Sequence, residues 1–156
     1  AIAASILEAE EKGIDNYYVL SLHKLCPPVI RALLDSGDVS LDGLICPGHV
    51  SAVTGAGLWE FIASEYRIPC VVAGFEPLDV LRAIDMLAAQ IEGGDARVEN
   101  AYRRGVKPDG NPRALELMNR VFVPVDAEWR GIGSVTNSGL ALRKEYERFD
   151  AGEVFE

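Results

Sequence analysis

Apolar positions along the chain switch between helical and strand spacing, and the switches set the predicted elements. Residues 1–12 carry helical spacing and stop at Gly13. Tyr17–Leu22 is an aromatic and β-branched run that predicts a strand ending at His23-Lys24. Cys26 or Pro27 opens a helix reaching about Asp35, closed by Ser36-Gly37-Asp38. Leu41–Ile45 predicts a second strand, and Leu58–Tyr66 a helix with Leu58, Phe61 and Ile62 on one face. Cys70–Ala73 predicts a third strand. The helix from Pro77 to about Glu92 keeps Val80, Ile84, Leu87 and Ile91 in register, and Gly93-Gly94-Asp95 breaks it. Val98–Arg104 is predicted as a short helix, Lys107–Pro112 as a turn-rich linker and Arg113–Arg120 as a helix. Val121–Val125 predicts a fourth strand. The glycine-punctuated Trp129–Leu142 predicts a β-rich stretch, either a hairpin or an edge.

Alternating helices and strands predict an α/β fold: an open, mostly parallel sheet with helices on both faces, Rossmann-like in three layers, with a β-rich C-terminal segment. The α/β domain is expected over 1–134 and a C-terminal extension over 135–156. In a parallel sheet all carboxyl ends lie on one edge, where ligands bind. The loops at His23, His49 and Glu76 are therefore expected to converge there.

The chain has 156 residues, 49% of them apolar and 25% charged, which suits one soluble domain with its own core. No apolar run approaches the ~18–20 residues that span a membrane, and no signal-peptide pattern opens the chain. The formal net charge of −9 argues against nucleic acid and anionic membranes as partners. Three cysteines, an odd number without a Cys-x-x-Cys pair, argue against a disulfide framework and for a reducing, cytoplasmic setting. The chain opens without methionine or a capping residue, already in helical pattern, so a piece of a longer protein is expected.

Three clusters carry candidate chemistry. Pro47-Gly48-His49-Val50-Ser51 places an imidazole and a hydroxyl on a turn where Gly48 could take positive φ and free backbone N–H groups for a ligand. Ser51 could equally be a helix cap. In Gly74-Phe75-Glu76-Pro77-Leu78-Asp79, Pro77 suits a first helical position and the helix dipole favours Glu76 and Asp79. Those carboxylates could also serve as acid, base or hydrogen-bond acceptor in a cleft. In Glu128-Trp129-Arg130-Gly131-Ile132-Gly133, Arg130 could fork onto a carboxylate beside Trp129, or the pair could serve the sheet edge alone. Arg103-Arg104 after Tyr102 reads as a solvated helix face. His23, Cys26, Cys46 and His49 could form a tetrahedral zinc site, and His49 with Glu76 an acid–base pair of a stand-alone small-molecule enzyme. No nucleophile elbow, phosphate-binding loop or dinucleotide fingerprint occurs.

Taken in order, Pro47-Gly48-His49-Val50-Ser51 with Gly55, Val72–Asp79, Val98-Glu99-Asn100 with Tyr102-Arg103-Arg104, Glu128–Gly131 with Gly133, and Arg148-Phe149-Asp150-Ala151 resemble the HypD family of nickel–iron hydrogenase maturation factors. The resemblance covers essentially the whole chain. It implies a part in assembling the iron centre with cyanide and carbon monoxide ligands, with a HypC-like chaperone and a HypE-like cyanide donor as partners and the hydrogenase large subunit served indirectly. It implies a second α/β domain followed by the start of an iron–sulfur domain. A 4Fe–4S cluster and iron are expected in the full-length protein and neither in this piece, because the family's N-terminal Cys-Gly-x-His and Gly-Pro-Gly-Cys-Pro-x-Cys motifs and its C-terminal cluster cysteines are absent here. What carries over is a cleft wall: Gly48, His49 and Ser51, Glu76 and Asp79, Trp129 and Arg130.

Overall fold

The computed structural model describes residues 1–155 and divides them into two compact units. One comprises 1–32 and 113–156, the other 33–112. The hairpin described below runs through position 134, so residues on both sides of it share the first unit.

The unit formed by 33–112 is built on a parallel three-stranded sheet, β1 (Leu44–Pro47), β2 (Cys70–Ala73) and β3 (Val98–Asn100), in that spatial order. Between β1 and β2 run α3 (Gly48–Thr54), a 3-10 turn (Ala56–Trp59) and α4 (Glu60–Tyr66), after α2 (Cys26–Asp35) has crossed from the other unit. Helix α5 (Pro77–Gly93) joins β2 to β3. Strand β2 is central and buried along its length, as its unbroken Cys-Val-Val-Ala run requires. Val71 and Ala73 pack against Ala83, Met86 and Leu87 of α5. Cys46, Cys70 and Val72 share the opposite face and are fully buried. The buried Gln90 of α5 ties the sheet together, accepting from Arg97 N–H and donating to Glu99.

The other unit begins with α1 (Ile2–Glu11), capped by Gly13 at φ +63°, and continues after 112 with α6 (Pro112–Val121), β4 (Phe122–Trp129), β5 (Gly133–Leu142), a 3-10 turn (Lys144–Phe149) and α7 (Ala151–Phe155). Strands β4 and β5 form an antiparallel hairpin. Its core gathers Ile6, Val19, Val121, Phe122, Leu142, Tyr146 and Phe149.

The α/β class with helices flanking a parallel sheet holds, and three expected elements change. Tyr17–Leu22 is extended but supplies no strand to the parallel sheet: Val19 bridges Asp150 and Lys24 bridges Gly139. Alternation survives, with Val19 buried and Leu20 and Leu22 exposed. Val98–Arg104 is not a helix; β3 pairs with β2 in parallel, Cys70 opposite Val98. The fourth strand pairs only with β5, because the turn at Gly131 and Gly133, both at positive φ, folds the chain back at once.

Candidate functional site

Strands β1 and β2 end in register, with Pro47 opposite Ala73. His49 and Phe75 each lie two residues beyond that pair, and their rings meet at 4.3 Å between centroids. The parallel edge thus brings the Pro-Gly-His-Val-Ser turn and the Gly-Phe-Glu-Pro turn together, as the strand order requires. Both rings are exposed.

Each turn leads directly into a helix. Pro47 is the N-cap of α3, and Glu76 that of α5 with Pro77 in the first turn. Ser51 lies inside α3 rather than capping it. It is fully buried; its hydroxyl donates to Pro47 C=O at 2.9 Å and accepts from Trp59 Nε1 at 2.8 Å. Ser51 therefore holds the turn that presents His49.

Gly48 does not take positive φ, contrary to expectation. A Cβ there would collide with the Ala73 carbonyl oxygen and stand 2.8 Å from the Tyr102 ring. The requirement is close approach of two strand ends. Gly74 follows the same rule: a Cβ would strike the Asp79 carboxylate and lie 2.8 Å from the other side of Tyr102. At Gly105 a Cβ would come 2.5 Å from the same ring. Three glycines therefore form a cradle for Tyr102, a residue that the sequence places in a motif without giving it a role.

Tyr102 belongs to a tight loop after β3. Asn100 pins it, accepting from Tyr102 N–H and donating to Val106 C=O, both at 2.9 Å. The loop aims Arg104 back at α5. Its two terminal nitrogens grip both oxygens of Asp79 at 2.6 Å, and one reaches Glu76 at 3.0 Å, while the guanidinium stacks 4.6 Å from the Tyr102 ring centre. The reading of Arg104 as part of a solvated helix face is corrected: there is no helix, and Arg104 joins two motifs. Asp79 is 8% exposed and Glu76 77%, so the first carboxylate is locked while the second faces solvent. The hydrogen bonds from Arg104 hold the Asp79 carboxyl below its usual range. The same partner raises Arg104 above its own.

His23 follows no strand of the parallel sheet. It lies in the other unit, where its C=O accepts from Leu140 N–H, its Nδ1 meets the Ser21 hydroxyl at 3.0 Å and its ring packs on Phe122. Trp129 and Arg130 also belong to that unit, at the end of β4 and in the turn after it. Trp129 donates to the Ser138 hydroxyl at 2.8 Å, with the Lys24 ammonium 5.7 Å from its ring. Arg130 is exposed. The four zinc candidates divide the same way, His23 and Cys26 from Cys46 and His49. Cys46 points into the sheet, hydrogen-bonded to Cys70, which together with burial pushes its thiol far above the ordinary range. His49 points outward, so the two make no ligand pair. Among the described residues no three His, Cys, Asp or Glu side chains gather as a metal would need.

Comparison with known proteins places the chain as a whole. The HypD family model, described as the hydrogenase formation hypA family, matches residues 1–156. A hydrogenase expression/formation protein of Methanocaldococcus jannaschii is 45% identical over 150 residues, 96% of this chain and 42% of that protein. The hydrogenase maturation factors HypD of Escherichia coli and Cupriavidus necator are 42% and 43% identical, across 98% and 99% of this chain. The chain spans about two-fifths of the length of these curated relatives (41% of the Escherichia coli protein). With a match from first residue to last, the chain belongs to the HypD family of hydrogenase maturation factors.

Proposed function

We propose that the chain serves in hydrogenase maturation, as part of the scaffold on which the iron centre with cyanide and carbon monoxide ligands is assembled. The observation that carries this reading is the full-length family match, and its relatives are named for hydrogenase maturation. The sheet edge supports it chemically. His49 and Glu76 offer an exposed imidazole and an exposed carboxylate on two rigid turns. Such groups can hydrogen-bond or pass a proton to small ligands on a metal held opposite them.

The iron centre is cargo in this reading. The resident 4Fe–4S cluster implied by the family does not fit this chain's own donors. Cys46 and Cys70 are buried against each other within the sheet, and Cys26 belongs to the other unit. We therefore assign the cluster and the iron-holding cysteine to other parts of the full-length protein. His49 and Glu76, with Phe75 fixing the imidazole, form one wall of the assembly cleft. A HypC-like chaperone and a HypE-like cyanide donor are the partners expected to meet it. Three free thiols suit a cytoplasmic setting, and no helix among the described residues is long and apolar enough to cross a membrane.

The test is complementation. A host lacking its own HypD should recover nickel–iron hydrogenase activity when given the full-length protein that contains this chain. No recovery, with the protein soluble and expressed, would overturn the reading. Turnover of a small-molecule substrate by the chain alone would favour the stand-alone enzyme instead.

A further inference from the structure

The loop that delivers Arg104 also shapes a cavity on its other side. The cavity holds about 470 Å³ and is lined by Arg82, Met86, Asn100, Ala101, Arg103 and Arg104. It lies between α5 and the carboxyl end of β3, on the same sheet edge as the site above. No carboxylate among the described residues lines it.

The charges are unequal in their commitments. Arg104 is neutralised by Asp79 and, in part, by Glu76. Arg103 only reaches the Asn100 carbonyl, at 3.4 Å. Arg82 makes no ion pair among the described residues, although its charge acts on Asp79. Two guanidinium groups that make no ion pair among the described residues thus line one cavity, in a chain whose net charge is −9. Like charges that line one cavity repel, and an anion between them relieves that repulsion. Arg97, exposed in the same unit, pairs with both Asp95 and Glu99.

We infer that this cavity is an oxyanion site, and that its ligand carries a phosphoryl dianion. Two free guanidinium forks match a tetrahedral group bearing nearly two negative charges. The wall of Met86 and Ala101 leaves an apolar surface for the organic part of a phosphorylated small molecule. Arg104 lines the cavity while holding Asp79, so an occupant would sit beside the Arg104–Asp79 pair. A carboxylate is the competing source of the same oxyanion chemistry, and it carries one charge per group.

The experiment titrates the protein with inorganic phosphate and, separately, with succinate, following the Nε–H signals of Arg82 and Arg103 by NMR. Phosphate should shift both signals saturably, with a dissociation constant of about 1 mM. Succinate should bind more weakly. R82Q/R103Q should weaken phosphate binding at least about tenfold, whereas R82K/R103K, which keeps the charge and loses the fork, should weaken it less. Absence of saturable shifts in the unsubstituted protein would overturn the site, and that reading needs no variant to fold. Unchanged phosphate affinity in folded R82Q/R103Q would overturn it as well. Tighter binding of succinate than of phosphate would overturn the phosphoryl assignment.

Discussion

Each unit contains a tryptophan whose indole N–H donates at 2.8 Å to a fully buried serine hydroxyl, Trp59 to Ser51 and Trp129 to Ser138. The two pairs are chemically alike and differ in which member belongs to a motif. In the sheet unit the serine is the motif residue, two positions after His49, and the tryptophan comes from the following 3-10 turn. In the hairpin unit the tryptophan is the motif residue and the serine lies on β5. The difference teaches that a motif can mark scaffold as well as chemistry. Ser51 reads as a partner of His49 in sequence, and it works as the buried bolt beneath it.

The largest expected effect distinguishes close approach from backbone conformation. Gly48→Ala should destabilise by about 3 kcal/mol, because the new methyl meets a backbone carbonyl that cannot rotate away. Gly131→Ala in the hairpin turn has open space around it and pays only for left-handed φ, about 1 kcal/mol. Urea unfolding of both variants checks the order, and equal losses would mean the strand ends are looser than described. Next come the two serines. Ser51→Ala should cost about 1–3 kcal/mol by leaving the buried Trp59 N–H without its acceptor, and Ser138→Ala less, because Trp129 is only half-buried. Each should perturb the fluorescence of its own tryptophan. A neutral Ser51→Ala would return that hydroxyl to a ligand-facing role.

The smaller effects concern the carboxylates. Asp79→Asn should lower the unfolding midpoint clearly, and Glu76→Gln should barely move it, since Glu76 is 77% exposed and shares a partner already engaged. The acid limb sharpens this. Asp79 has a folded pKa below its unfolded value. Its contribution is therefore complete above the ordinary carboxylate range, near pH 4, and is lost as pH falls through the depressed value. Asp79→Asn should flatten that part of the stability profile, and a profile identical to the unsubstituted protein would show that Arg104 does not hold the carboxylate.

The sequence made the sheet unit's central elements readable because β2 and α5 speak clearly. Cys-Val-Val-Ala is apolar at every position, and α5 begins with proline and ends in a glycine pair. Strand β3 was misread because three residues, Val-Glu-Asn, carry no period; their pairing with β2 is a long-range event. The fourth strand was readable as a strand but not in its partner, which a turn two glycines away decided. His49 and Glu76 were placed together correctly because parallel strands end on one edge. His23 was not, because its segment is extended yet pairs with the hairpin unit through Val19 and Lys24. The roles of Tyr102 and Arg104 escaped because they lie in what surrounds them: a cradle that draws Gly48 and Gly74 from far along the chain, and a carboxylate 25 positions earlier.

The central claim is that the His49–Glu76 edge faces the assembling iron centre. Infrared spectroscopy of the complex purified with full-length protein tests it most directly, through the cyanide and carbon monoxide stretching bands. His49→Ala should leave the fold intact, since the ring is exposed and stacks on the equally exposed Phe75. It should also shift or remove those bands and lower hydrogenase maturation. Bands and maturation indistinguishable from those of the unsubstituted protein would contradict the account.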